Sequence, residues 1–314
     1  MRYLVTGGAG FIGSHLVEHL VMDGHDVVVL DNFLTGRREN LDPWLHRIEL
    51  LEGSITDQAI CARAMHGVDY VLHQAALPSV PRSVRDPLAT HESNATGTLN
   101  VLLAAKTAGV KRVVYAASSS AYGNTAELPK REELAARPLS PYAASKLAGE
   151  IYANVFHTTY GLQTIALRYF NVFGPRQDPA SEYAAAIPRF IMAAVANKSP
   201  TVYGDGNQTR DFTYVANVVQ ANVLACEAPA EAYGRVLNVG CGERVTVNEL
   251  WSRICALTGS TAKAHYEPSR AGDVRDSLAS LENSRKYLGY VPSVGLQEGL
   301  RRTVAFFAPE RVGA

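Results

Sequence analysis

The chain has 314 residues, enough for one large α/β unit or two linked domains with a well-buried core. Hydrophobic residues make up 47% and charged residues 19%, the balance of an ordinary globular protein rather than a disordered one. The 30 basic residues match 30 acidic ones, so no net field recruits nucleic acid or a membrane surface. Cys61, Cys226, Cys241 and Cys255 form no C-x-x-C pair and have no histidine at metal spacing, so free thiols and no metal are expected. No apolar run reaches about 18 residues. Met1-Arg2 runs straight into an apolar strand without a cleavable signal, and a soluble cytoplasmic protein is the expectation.

Tyr3-Leu4-Val5 reads as a short buried strand, followed at once by the glycine loop from Gly7 to Gly13. Ser14 to Met22 carries apolar residues at helical spacing, and Asp23-Gly24 ends that helix. Val27 to Leu30 is a second buried strand, closed by Asp31. Strand, glycine loop, helix, strand and acid in this order form the context of a dinucleotide fingerprint. The glycines let the backbone approach a pyrophosphate, which rests on the N-terminal dipole of the helix. Asp31 would accept hydrogen bonds from the adenosine ribose and repel a 2′-phosphate, favouring NAD over NADP. Arg37 and Arg38, close by, work against that preference.

Tyr70-Val71-Leu72 gives a further strand, and the small residues of His73-Gln74-Ala75-Ala76 leave room for a cofactor at the backbone. His73, at a strand end, reads as structural rather than catalytic. A helix follows from about Glu92 to Ala108. The next strand, from Arg112 to Ala116, ends in Ser118-Ser119-Ser120. Hydroxyls at a strand's C-terminal end face the crevice where open α/β sheets bind ligands, and one there can relay a substrate proton to a base.

Tyr142 is the candidate base. In Ser140-Pro141-Tyr142-Ala143-Ala144-Ser145-Lys146, the serine suits an N-cap and the proline the first helical position. Tyr142 and Lys146 then leave the same helix face one turn apart. A free phenol has a pKa of about 10, so bringing it near 7 needs roughly 4 kcal/mol of preferential phenolate stabilisation. A nearby ammonium and a second cation in a partly dry cleft supply that order of energy. Thr164 to Leu167 is the strand after this helix, and Leu281–Leu288 and Leu296–Phe307 read as closing amphipathic helices.

The glycines at Gly7, Gly10 and Gly13 follow G-x-x-G-x-x-G, with Tyr142-x-x-x-Lys146 downstream. The chain therefore resembles the extended short-chain dehydrogenase/reductase family, the sugar-nucleotide epimerases and dehydratases. The likeness runs over nearly the whole chain, through Arg168-Tyr169-Phe170-Asn171-Val172-Phe173-Gly174-Pro175 and Arg210-Asp211-Phe212. It implies a Rossmann doubly wound parallel sheet, formed by residues 1–170 with about 211–240. A smaller α/β substrate-binding domain would take about 171–210 and 241–314. The resemblance sets NAD against Gly7, Gly10, Phe11, Ile12, Gly13, Asp31, Asn32, Gly36, Ser54, Ile55, Gln74, Ala75, Ala76, Asn94, Tyr142, Lys146 and Tyr169. Ser54 departs from the aspartate usual in the family's adenine-binding turn.

For the nucleotide sugar, the resemblance implies Ser79, Ser118, Ser119, Asn171, Ala186, Ile187, Arg189, Tyr203, Arg210, Arg270, Asp273 and Ser277. Arg210 and Arg270 would clamp the diphosphate, since guanidinium forks pair bidentately with phosphate oxygens. Asp273 would hold the uridine ribose. Ser277 stands where glucose-specific epimerases carry a large aromatic residue, and so leaves room for an N-acetyl group. This points to the UDP-N-acetylhexosamine 4-epimerase branch.

By the family's chemistry, Tyr142 takes the proton of the sugar's 4-hydroxyl, directly or through Ser118, with Ser119 the next candidate. Hydride passes to the nicotinamide, the 4-keto sugar turns over, and hydride returns to the other face. Lys146 holds the nicotinamide ribose and lowers the Tyr142 pKa. A 4,6-dehydratase needs an Asp–Glu pair where Ser119 and Ser120 stand, and a UDP-glucuronate decarboxylase needs Glu at Ser120. A UDP-glucuronate or UDP-galactose epimerase would share the catalytic set and stays open. A non-catalytic NAD-binding sensor commonly loses the tyrosine or the lysine. A homodimer is also expected, through the helices near Glu92–Ala108 and Tyr142–Tyr160.

Overall fold

The computed structural model describes residues 1–179, 185–269 and 274–308. Its centre is a seven-stranded sheet of β1 (Arg2–Thr6), β2 (Asp26–Asp31), β3 (Ile48–Glu52), β4 (Tyr70–His73), β5 (Arg112–Ser118), β6 (Gln163–Tyr169) and β7 (Val236–Val239). The order is β7-β6-β5-β4-β1-β2-β3, and every neighbouring pair is parallel. A parallel sheet is covered on both faces, which is why β2 is the continuous apolar run Val27-Val28-Val29-Leu30, all buried. The strand order reverses between β1 and β4, with Thr6 beside His73. A ligand crevice opens at such a reversal, beyond the C-terminal strand ends.

The main helices are α1 (Phe11–Met22), α2 (Gln58–Ala64), α3 (Gly97–Ala108), α4 (Pro141–Tyr160), α5 (Ala186–Val195), α6 (Val215–Glu227), α7 (Val247–Thr258) and α8 (Leu296–Phe307). On one face of the sheet, α1 packs Leu16, Val17, Leu20 and Val21 beside Val218 and Ala221 of α6. These α1 positions are the helical spacing seen in the sequence. The other face is covered by α2, α3 and α4, with Cys61, Val101, Leu102 and Phe156 in the core. The helix expected from Glu92 opens as a π-helical turn over Glu92–Thr96 before α3 begins. Such turns cluster at functional sites.

A second core lies among α5, α7 and α8, where Phe190 meets Trp251 edge to face at 5.6 Å. It touches the chain leaving the sheet through Phe173 and Tyr214. Both closing helices form, the first as a short helix over Glu282–Leu288 and the second as α8.

Candidate active site

The crevice at the β1/β4 reversal is lined by the glycine loop, Asp31, Asn32, Gly36, Ser54, Ile55, Gln74, Ala75, Ala76, Tyr142, Lys146 and Tyr169. The loop is close-packed: a Cβ on Gly13 would lie 2.1 Å from the Gly7 carbonyl oxygen, and one on Gly7 would lie 2.7 Å from the Ala75 backbone. No side chain caps the start of α1 at Gly10, so its first-turn N–H groups are left for an anion. The Asp31 carboxylate accepts the backbone N–H groups of Ala9 and Phe33 at 2.9 and 2.8 Å. Burial nonetheless pushes its pKa up, against those two bonds.

Arg37 and Arg38 are engaged elsewhere, with Asp178 at 2.9 Å and Glu52 at 2.7 Å. Those pairings leave the acid at Asp31 as the nearer signal for the adenosine ribose. The residues therefore fit NAD: a cradle that a Cβ would fill, a helix start for the pyrophosphate, and a carboxylate for the ribose.

Asn94, expected on the cofactor side, is buried and is not among the residues that line the crevice. Its amide accepts the Leu77 N–H at 2.7 Å and donates to the Leu77 carbonyl at 3.1 Å and the Ser145 hydroxyl at 3.0 Å. The π-helical turn carries this side chain behind the cavity wall, where it ties the loop after β4 to α4, and Ser93 lines the cavity instead.

Helix α4 is built as its sequence suggests. The Ser140 hydroxyl accepts the Ala143 N–H at 3.1 Å, Pro141 opens the helix, and Gly161 closes it in the left-handed region. Tyr142 shares a cavity wall with Ser118 at the end of β5; burial raises its pKa, and the Ser118 hydroxyl opposes the rise. Ser118 Oγ also accepts the Ser120 N–H at 3.2 Å, with the Ser120 hydroxyl 2.8 Å away. Lys146 is buried over the face of Tyr115, 4.5 Å from the ring centroid, and burial lowers its pKa to about 7. The Tyr115 hydroxyl donates to the Lys146 carbonyl at 3.1 Å. Nothing in the sequence singled out Tyr115.

His73 is fully enclosed between the hydroxyls of Thr6 and Thr98, at 2.7 and 2.9 Å, and its pKa falls to about 3 through burial. Burial likewise brings His15 to about 4. Both stay neutral when folded yet charge when unfolded below about 6.5. Their stability is therefore lost as pH falls from that value toward 4. Asp211, raised by burial to about 6, acts in the opposite sense and gains below that pH. The two histidines outweigh Asp211, and Asp31, also raised by burial, narrows the difference, so unfolding free energy should fall by less than about 1.4 kcal/mol per pH unit between about 6 and 4. Denaturant titrations at those pH values check this, and a flat profile would remove the argument.

A second cavity adjoins the first at Tyr142 and Tyr169, and its wall includes Ser118, Ser119, Ser120, Asn171, Arg210 and Ser277. A third holds Asn171, Ala186, Ile187, Arg189, Tyr203 and Arg210. Asn171 donates to the Asp211 carbonyl at 3.0 Å and to the Ser277 hydroxyl at 3.2 Å, fixing the small residue at the cavity wall. Ser79 sits at the helix cap over Val80–Arg85, accepting the Arg82 N–H, and its neighbour Val80 reaches the cavity. Arg270 and Asp273 lie outside the described residues. Sequence reasoning missed Lys130 and Gln208 on these walls.

A parallel sheet with a dinucleotide crevice, and a Tyr–Lys helix beside a strand-end serine, define the short-chain dehydrogenase/reductase class of NAD enzymes. The NAD dependent epimerase/dehydratase family profile matches residues 3–240. A UDP-glucose 4-epimerase of Mycolicibacterium smegmatis is 40% identical over 311 residues, 98% of each chain. The structure of a UDP-glucose 4-epimerase from Thermotoga maritima with UDP-glucose superposes with a TM-score of 0.94 at 38% identity, covering 98% of this chain and 99% of that one. That of a UDP-N-acetylglucosamine 4-epimerase from Methanobrevibacter ruminantium, in complex with UDP-N-acetylmuramic acid, gives 0.93 at 41%, with 98% of both covered. The chain belongs to the NAD dependent epimerase/dehydratase family, in its extended short-chain branch, and NAD is its cofactor.

Proposed function

We propose that this enzyme is a 4-epimerase of UDP-hexoses, acting on UDP-N-acetylglucosamine and UDP-N-acetylgalactosamine and accepting UDP-glucose and UDP-galactose. The observation that carries the reading is the shared wall: Tyr142 lines both the cofactor crevice and the adjoining cavity, and Ser118 lines that cavity with it. A base at that junction reaches a hydroxyl on a sugar lying against the cofactor. The epimerase names of the relatives support the same reaction.

Bound NAD supplies a reversible hydride acceptor. The chain's residues manage the proton. Tyr142 takes it from the 4-hydroxyl and returns it to the epimeric alkoxide. Ser118 donates to the phenolate, and the Lys146 ammonium one turn along α4 stabilises it further. Ser119 and Ser120 supply no carboxylic acid for elimination or decarboxylation, which favours epimerisation over the dehydratase and decarboxylase alternatives. Ser277, a small residue whose hydroxyl is held by Asn171, leaves the room that an acetamido group needs. Arg210, on both substrate-side cavities, would meet the diphosphate.

Exposed Leu103, Ile151 and Val155 on α3 and α4 favour a homodimer across these helices. Among the described residues, no helix is long and apolar enough to cross a membrane.

The test is turnover of purified protein on UDP-N-acetylglucosamine and UDP-glucose, following the 4-epimer by NMR without added NAD. Epimer from the acetylated sugar, at higher kcat/KM than from UDP-glucose, is the expected result. UDP-glucose turnover alone would remove the role given to Ser277. A keto product without epimer would mark a dehydratase.

A further inference from the structure

The wall of the cavity holding Ser118 and Ser277 also carries a charge with no part in the proton chemistry. Lys130 lies on that wall and is only 1% exposed. Its backbone is stitched to segment 278–280: its N–H donates to the Leu278 carbonyl at 2.7 Å, and its carbonyl accepts the Ser280 N–H at 2.9 Å. The bridge pairs Lys130 with Ala279 in parallel. Lys130 and Ser277 line the same cavity, whose wall is small at the serine.

An ammonium carries three donors, and Lys130 gives one to the Thr125 carbonyl. Among the described residues it makes no ion pair. Asp276 instead takes the Thr209 hydroxyl at 2.5 Å. Burial lowers the Lys130 pKa, while Asp276 and Glu127, acting at longer range, favour its charge. An enclosed charge with an incomplete hydrogen-bond shell costs stability that an aliphatic residue of similar length would not. A substrate acceptor in the cavity would complete that shell.

We propose that Lys130 is a specificity residue, donating a hydrogen bond to the carbonyl oxygen of an acetamido group on the hexose. The assignment rests on the acetylated-hexosamine reading above. Its place beside Ser277 sets the donor where that substituent would lie. Glu127 and Asp276 lie within electrostatic range of it, and their negative charge disfavours a uronate carboxylate there relative to a neutral carbonyl.

The experiment compares kcat/KM on UDP-N-acetylglucosamine, UDP-glucose and UDP-glucuronate for the wild type, Lys130→Met and Lys130→Arg, with Tm for each. In Lys130→Met the preference for the acetylated sugar over UDP-glucose should fall roughly ten- to hundredfold, the loss of one charge-assisted hydrogen bond. Lys130→Arg should recover part of it, and Tm of the methionine variant should not drop. Equal slowing on both neutral sugars, or a lower Tm with parallel losses, would overturn the proposal and make Lys130 a fastener of its loop. A wild-type preference for UDP-glucuronate that disappears in Lys130→Met would overturn it in favour of a carboxylate. Failure of the wild type on UDP-N-acetylglucosamine sinks the substrate reading itself. A working wild type with an unchanged ratio sinks the Lys130 assignment alone.

Discussion

Tyr142→Phe is expected to leave a folded protein that still retains NAD but turns over UDP-sugars roughly 10²–10⁴-fold more slowly, the span typical of losing a positioned acid–base group. The substitution removes one oxygen and keeps the ring, so α4 and its packing should survive. What disappears is the atom that the surroundings tune. Burial raises the phenol pKa and the Ser118 hydroxyl opposes that rise, so the site without further charge favours the neutral phenol.

Lys146 is the neighbouring source of charge, and burial has brought its own pKa to about 7. Making a phenol a base near neutrality takes about 4 kcal/mol of phenolate stabilisation, which the ammonium on the same helix face would supply together with the positive nicotinamide of bound NAD. Lys146 has no carboxylate partner among the described residues; its ammonium rests on the Tyr115 ring, which holds it without neutralising it. Single-turnover kinetics, together with absorbance of the nucleotide released on denaturation, separate chemistry from cofactor loss. A Phe variant within tenfold of wild type, with NAD retained, would move the base elsewhere.

Much of this site was readable because its signals are local. The glycine loop, Asp31 and the Tyr142–Lys146 pair each sit within one element or one turn, and the elements form where their patterns place them. The partners of Asn94 were not legible, because its amide meets Leu77 and Ser145 across the chain rather than within one element. Lys130 was invisible for another reason: its meaning comes from a bridge to Ala279, and a loop lysine ordinarily reads as solvated. The pairing of Arg37 with Asp178 and of Arg38 with Glu52, which turns both away from the ribose signal, is long-range in the same way. Local chemistry is legible from a sequence; what occupies the far side of a contact is not.

The buried pair between Glu150 and Arg168 is another such hidden contact, and breaking it should have the largest effect on stability. Arg168 donates through Nε at 2.8 Å and Nη2 at 2.6 Å to the two oxygens of Glu150, and both side chains are under 10% exposed. The guanidinium lies 4.5 Å from the Tyr122 ring centroid, and its Nη1 has no hydrogen-bond partner. Glu150 follows Lys146 by one turn on α4, and Arg168 precedes Tyr169 on β6, so the pair fastens the candidate catalytic helix to the sheet.

Glu150→Ala strands an enclosed guanidinium and should cost about 3–5 kcal/mol. With an unfolding entropy near 2.1 cal/mol/K per residue, that is a fall in Tm of roughly 5–8 °C for a chain of this size. The double variant Glu150→Leu with Arg168→Met should recover most of the loss, because two apolar side chains of similar volume need no partner. Calorimetry on the three proteins decides it. A single variant melting within about 2 °C of wild type would mean that water reaches the guanidinium, and that the pair does not hold α4 in place.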